Sequence, residues 1–255
     1  MTRPAATVSR ASPTGSLSPS ESDEFLEPRC GPYTLDQYHS RVSILRALGA
    51  ALPLFHGTVL DVGCGQMPYR SLLLSAPSRA TRYIGLELAG GYHARKPDLE
   101  WDGRRIPLPD RAVHCAVATE VLEHCPDPRA VLAEINRVLS PGGTLCLTVP
   151  FLWPLHDVPH DEYRYTPYSL RHLLEQSGYA EIVIEAFGGW DASLAQMLGL
   201  WVRRRPMRDL TRRLLQRLLM PVYRRLLARD QAPASFDQPV MITGLAAVAR
   251  KPVEE

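Results

Sequence analysis

Seven short apolar runs of strand length alternate with helical patterns along this chain. They are Thr58 to Val62, Arg82 to Glu87, Leu99 to Trp101, Val113 to Thr119, Thr144 to Val149, Ala180 to Phe187 and Met241 to Ala249. Between them, Val131, Leu132, Ile135, Val138 and Leu139 recur at helical spacing, with Asp127-Pro128 placed as N-cap and first helical residue. Ser140-Pro141-Gly142-Gly143 is expected to end that helix. Thr166-Pro167 opens another helix, which Gly178 closes. Upstream, Thr34 is expected to cap a helix reaching about Leu52, with Leu35, Tyr38, Val42, Leu45 and Leu48 on its apolar face. Alternation of this kind predicts an α/β domain: a seven-stranded, mostly parallel sheet with helices on both faces.

Residues 1 to about 30 are rich in Pro, Ser, Thr and Ala and are read as a flexible tail, leaving 31–255 as one domain. The tail has no apolar core of the secretory kind, and no run of 18 apolar residues occurs anywhere. The cysteines number five, an odd count without CxxC spacing, so free thiols and a reducing, cytoplasmic setting are expected. A formal charge of +2 gives no whole-chain case for nucleic acid or membrane.

The chemistry gathers where the first strand runs into Asp61-Val62-Gly63-Cys64-Gly65-Gln66-Met67-Pro68. Two glycines there allow a sharp turn lying close against a ligand. Glu87 ends the next strand, where a carboxylate can accept hydrogen bonds from both hydroxyls of a ribose. Asp102 follows the third strand and precedes Ile106-Pro107-Leu108-Pro109-Asp110. A dinucleotide fingerprint wants a third glycine where this chain has Pro68, which disfavours a nicotinamide-dependent oxidoreductase.

With these segments in order, and with Thr119-Glu120-Val121-Leu122-Glu123-His124 and Leu139-Ser140-Pro141-Gly142-Gly143 following them, the chain resembles the class I S-adenosylmethionine-dependent methyltransferases, in the subgroup that modifies small molecules. The resemblance spans roughly residues 34 to 187. It implies a Rossmann-like fold with S-adenosylmethionine as cofactor. Asp61, Gly63 and Gly65 would border the methionine part, Glu87 would hold the ribose and Asp102 the adenine, and Thr119 and Glu120 would line the pocket beside the sulfonium. Met67 and His114 depart from the family pattern without touching these contacts. The Gly-Cys-Gly-x-x-Pro-Tyr form at Gly63 to Tyr69 also occurs in members linked to glycan or cell-envelope chemistry.

The acceptor side is expected after the fourth and fifth strands. Residues 150 to 167 mix apolar walls with His156, His160, Asp161, Tyr163, Arg164 and Tyr165. Histidine titrates near neutrality, so His156 or His160 is expected to take the acceptor's proton. Asp161, Tyr163, Arg164, Tyr165 and His124 are expected to shape the acceptor pocket, with loop anchoring as the competing role for 163 to 165 and a plain helix-end role for His124. The four-residue spacing of His156 and His160 raises a metal site, but Pro154 and Pro159 oppose a regular helix and no Cys or further His pairs with them, so none is expected.

Residues 203–229 carry ten arginines against one acidic residue, interleaved with leucines at helical spacing, and Pro221 is expected to kink this helical insertion before the last strand. A cover helix with a solvated arginine face, peripheral contact with a membrane, and nucleic-acid contact all fit that pattern. The expected activity is methyl transfer to an oxygen or nitrogen of a small-molecule, glycan or lipid-linked acceptor. An RNA methyltransferase using the arginine segment and a non-catalytic binding module are the alternatives.

Overall fold

In the computed structural model, residues 24–90 and 96–253 are described. Seven strands form one sheet in the order β3-β2-β1-β4-β5-β7-β6. They are β1 (His56–Val62), β2 (Arg79–Leu88), β3 (Leu99–Trp101), β4 (Val113–Thr119), β5 (Leu139–Pro150), β6 (Ala180–Phe187) and β7 (Gly244–Arg250). Strands β1 to β5 pair in parallel, while β7 runs antiparallel between β5 and β6. The chain moves outward from β1 to β3 and then returns to place β4 on the other side of β1. The topological switch point therefore lies at the carboxyl ends of β1 and β4, the place where open α/β sheets bind ligands.

Helices cover both faces. They are α1 (Tyr38–Ala51), α2 (Arg70–Leu73), α3 (Pro128–Val138), α4 (Pro167–Gln176), α5 (Trp190–Arg204) and α6 (Asp209–Arg229). Leu60 and Val62 of β1 join Val131, Leu132, Ile135 and Leu170 from α3 and α4 in one core. Val59 joins Ile44 and Leu48 from α1 in the other. The central strands are buried on both sides, which is why they read as continuous apolar runs. Asp127 accepts from Ala130 N at 3.0 Å and α4 opens at Thr166-Pro167, as the sequence predicts; the structure adds a reciprocal cap between Thr166 and Ser169.

Several boundaries differ. Thr34 does not cap α1: its hydroxyl oxygen accepts from Gly31 N at 3.0 Å while its proton faces the Arg29 and Gly31 carbonyls, and the helix begins at Tyr38. Strand β5 starts at Leu139, ahead of Thr144, because Val113 pairs with Leu139 and the Pro-Gly-Gly stretch is absorbed as a register shift. Of the segment expected as a tail, residues 1–23 lie outside the described residues. Phe25 and Leu26 pack on the α1-side core, and Glu24 pairs with Arg41 at 2.8 Å.

The basic segment is two elements rather than one. Helix α5, which the sequence does not signal, ends at Arg204, and α6 continues as helix through Pro221. Arg203 and Arg204 clasp the buried Asp36, and Arg212 donates to the carbonyls of Val202 and Arg203 that α5 leaves open. No helix among the described residues is long and apolar enough to cross a membrane.

Candidate active site

At the tip of β1 the chain turns through Gly63 (φ 68°) and Gly65 (φ 49°). A Cβ on Gly63 would lie 2.5 Å from Val121 Cγ2, so a side chain there would force Val121 to shift. Above Gly65 nothing lies within 4 Å, so the turn leaves space for a ligand. Gly65 N donates to Glu87 Oε2 at 2.7 Å, and Leu88 N donates to Oε1 at 2.9 Å. These bonds fix the carboxylate over the turn and leave a lone pair on each oxygen for a pair of hydroxyls.

Asp61 lies one residue inside the strand tip and is 1% exposed. Tyr83 donates its hydroxyl to Asp61 Oδ2 at 2.6 Å, while Oδ1 has no partner. Burial raises the carboxyl from 3.8 to about 7, against the lowering effect of the Tyr83 bond. Such an orphaned acceptor suits a ligand that brings a cation or an N–H donor. Asp102 stands exposed beyond β3, with Oδ1 accepting from Arg104 N and Arg105 N at 2.9 Å each and Oδ2 open to a donor.

Thr119 ends β4 half-buried, and Glu120 follows with φ 53°, a strained conformation for a residue with a side chain. Two bonds to one residue hold it: Glu120 N donates to the Thr148 carbonyl at 3.0 Å, and Thr148 Oγ1 donates to Glu120 Oε1 at 2.8 Å. Burial raises Glu120 to about 7, and the Thr148 hydrogen bond and then Arg164 partly counter it. The Tyr69 phenol is pushed up by burial and then by the Glu120 and Asp61 carboxylates. Tyr83 thus touches the site through Asp61, and Tyr69 lies near enough to feel both carboxylates, although spacing along the sequence singles out neither. The orphaned Asp61 oxygen, the free Glu87 lone pairs and the open space over Gly65 together fit S-adenosylmethionine, which carries cationic and hydroxyl groups.

The segment after β5 folds back over this end of the sheet. Arg164 grips Asp161 through both guanidinium nitrogens at 2.6 and 2.8 Å, which holds the Asp161 carboxyl well below the usual carboxylate range. Asp161 Oδ2 in turn meets His156 N at 3.2 Å and His156 Nδ1 at 3.3 Å. The His156 and His124 rings stand edge to face at 4.6 Å, and His124 Nδ1 bonds the His160 carbonyl at 2.9 Å.

His160 itself is exposed, and only its backbone carbonyl enters the cluster, whereas the His156 ring stands inside it. Tyr165, expected at the acceptor, is 5% exposed and donates to the Leu122 carbonyl at 3.0 Å, which makes it a loop anchor. Tyr163 bonds the Pro126 carbonyl at 3.2 Å yet stays 40% exposed.

Glu123 was missed by sequence reasoning. It sits in the 3-10 turn Leu122–His124, fully buried, with neither carboxylate oxygen hydrogen-bonded. Burial, and then the nearby Glu120, raises it well above the usual value. Among the described residues, a hollow of about 750 Å³ between α1, the end of β6 and α6 contains none of these groups.

Residues 60–147 match the family model described as a methyltransferase domain. A malonyl-[acyl-carrier protein] O-methyltransferase of Alcanivorax borkumensis is 32% identical over 125 residues, which cover 46% of this chain and 42% of that protein. A ubiquinone/menaquinone biosynthesis C-methyltransferase of Methylobacterium nodulans is 27% identical over 175 residues, covering 56% of this chain and 64% of that one. The chain thus spans less than two thirds of the length of either relative. Among solved structures, an S-adenosylmethionine-dependent methyltransferase of Thermotoga maritima superposes with a TM-score of 0.56 at 14% identity, covering 86% of this chain and 92% of that one.

Proposed function

We infer that this chain, whose residues 60–147 match a methyltransferase-domain model, is a class I S-adenosylmethionine-dependent enzyme that methylates an oxygen or nitrogen of a small-molecule, glycan or lipid-linked acceptor. The observation that carries the reading is the strand-tip cradle, in which Glu87 is tied to Gly65 beside the unpartnered Asp61 oxygen. When bound, S-adenosylmethionine supplies a methyl group already activated on a sulfonium, so the protein's task is to position the acceptor and take its proton. Glu87 is assigned to the ribose hydroxyls, Asp102 to the adenine, and Asp61 to the methionine end, with Thr119 and Glu120 beside the sulfonium.

On the acceptor side, Arg164 fixes Asp161, and Asp161 fixes the His156 ring through Nδ1. A neutral imidazole held this way carries its proton on Nδ1 and offers the Nε2 lone pair to the acceptor's O–H or N–H. Incubation with methyl-labelled S-adenosylmethionine and fractionated cell-envelope and soluble extracts tests the reading. The expected result is label in one extracted compound, with His156→Ala slowing transfer at least about 100-fold. Unlabelled extracts, with the cofactor unconsumed, would refute it.

A second surface bears on where the acceptor is met. Helix α6 buries Tyr223 and half-buries Leu215 and Leu219 but exposes Leu210 (82%), Leu214 (57%), Leu218 (61%) and Val222 (47%). Helix α5, packed against it, exposes Trp190, Leu194, Met197 and Trp201. The exposed Arg208, Arg213, Arg217, Arg225 and Arg229 flank these stripes. Apolar stripes edged with arginine match the interface of an anionic lipid surface, and the aromatic ends of α5 suit its headgroup layer. Flotation with phosphatidylglycerol vesicles at low salt should carry the protein upward, and Leu214→Glu with Leu218→Glu should release it. No flotation, or retention of tRNA in its place, would overturn this assignment.

A further inference from the structure

We propose that Glu123, His124 and His156 form a binding site for a divalent transition-metal cation at the wall of the acceptor pocket. Each offers a ligand atom, and the three atoms lie within 4.8 Å of one another. The set is two imidazole nitrogens and one carboxylate oxygen, a donor combination suited to zinc and its first-row neighbours. His124 Nε2 lies 3.7 Å from Glu123 Oε1, a separation that leaves them outside hydrogen-bond distance of each other.

The outer partners fit a metal site equally well. His124 Nδ1 faces the His160 carbonyl at 2.9 Å, which requires a proton on Nδ1 and turns the Nε2 lone pair toward Glu123. His156 Nδ1 faces Asp161, itself clamped by Arg164, which leaves its Nε2 as the lone-pair nitrogen. A backbone carbonyl behind one imidazole and a carboxylate behind the other are the supports that orient metal-binding histidines.

An independent observation comes from Glu123. Its side chain is 0% exposed and both its oxygens lack hydrogen-bond partners, although the backbone carbonyl of the same residue accepts from Glu162 N and Tyr163 N. A buried carboxylate of this kind needs a cation or a donor. The exposed Asp157 places Oδ2 3.9 Å from His124 Nε2, near enough to the same centre to serve as an outer ligand after a small side-chain movement.

Three protein ligands leave positions for water or for an acceptor oxygen, whose proton the metal acidifies. With the ion bound, His156 would serve as a ligand and the acidified proton would pass to water or to the exposed Asp157 carboxylate; the base role given above to His156 belongs to the metal-free site. The site is read without cofactor or turnover, so its failure would leave the methyl-transfer reading standing.

The test uses the full, tag-free chain, stripped with chelator and titrated with Co²⁺ while its d–d absorption is recorded, and with Zn²⁺ by calorimetry. The expected result is one ion per chain with tetrahedral or five-coordinate cobalt bands. Glu123→Gln and His124→Gln should each weaken binding about 100-fold or more, while His172→Gln on the exposed face of α4 leaves it unchanged. Circular dichroism confirms that each variant is folded, and either ligand variant alone suffices. Absence of stoichiometric binding, or equal binding by both ligand variants, would overturn the proposal and leave a Glu123–His124 ion pair only.

Discussion

Replacing Asp61 with Asn should move stability and cofactor affinity in opposite directions. The Asp61 carboxyl rises from 3.8 to about 7 because it is buried. At about 1.4 kcal/mol per tenfold, holding it ionised inside the fold costs ~4 kcal/mol. The sign follows from proton counts. Between pH 3.8 and about 7 the unfolded chain has lost this proton and the folded chain keeps it, so stability falls as pH rises through that window. Asn has nearly the same shape, still accepts from Tyr83 and never ionises. Its amide N–H groups find no acceptor where Oδ1 stood, which costs about 1–3 kcal/mol at every pH. The difference between Asp61→Asn and the parent should therefore shift in the variant's favour by about 2–3 kcal/mol from pH 5 to pH 8. The same substitution removes a charge-assisted bond to the cofactor's cationic end, worth about 1.5–3 kcal/mol, so affinity at pH 8 should fall about 10- to 150-fold. Urea unfolding at the two pH values and calorimetric titration with S-adenosylmethionine measure the two effects. A pH-independent stability difference, together with unchanged affinity, would refute the reasoning.

Three further outcomes follow. Gly63→Ala should destabilise the domain by about 1–3 kcal/mol, because the added methyl meets Val121 at a positive φ; a thermal melt reads it, and an unchanged melting temperature contradicts it. His39, buried and bonded to Thr243 Oγ1 at 3.0 Å, is lowered to about 4 by burial, so the unfolded chain binds its proton first and stability drops by ~3 kcal/mol as pH falls from 6.5 through 4. His39→Gln should flatten that part of the urea-midpoint profile, and an unaltered profile would sink the assignment. Arg164→Lys keeps the charge but loses the two-pronged hold on Asp161; it should lower turnover about tenfold with cofactor affinity unchanged, whereas equal loss of both would place Arg164 at the cofactor.

The cofactor end of the site was legible because it rests on regular elements. Buried strands show as apolar runs, and Asp61, Glu87 and Thr119 sit at or near strand ends that such runs locate. Gly63 and Gly65 announce the turn by residue type alone. The acceptor end was only partly legible, because the loop from Phe151 to Thr166 has no periodicity. Nothing along the sequence says that His156 turns inward and His160 outward, since that choice is made by the Arg164–Asp161 clamp. Glu123 becomes visible only when this loop returns and its Glu162 and Tyr163 amides reach the Glu123 carbonyl. The leucines of α6 misled for a different reason. They divide between a face packed on Leu35, Ala195 and Val202 and a face left exposed, and composition does not distinguish the two.

Binding of an adenosyl sulfonium by the strand-tip cradle is the property on which the assigned activity depends. Calorimetric titration of the pure chain with S-adenosylmethionine or its demethylated product should show one site per chain, with Glu87→Ala weakening it about 100-fold through the loss of two ribose hydrogen bonds. No heat of binding up to millimolar ligand, or equal affinity in Glu87→Ala, would contradict it.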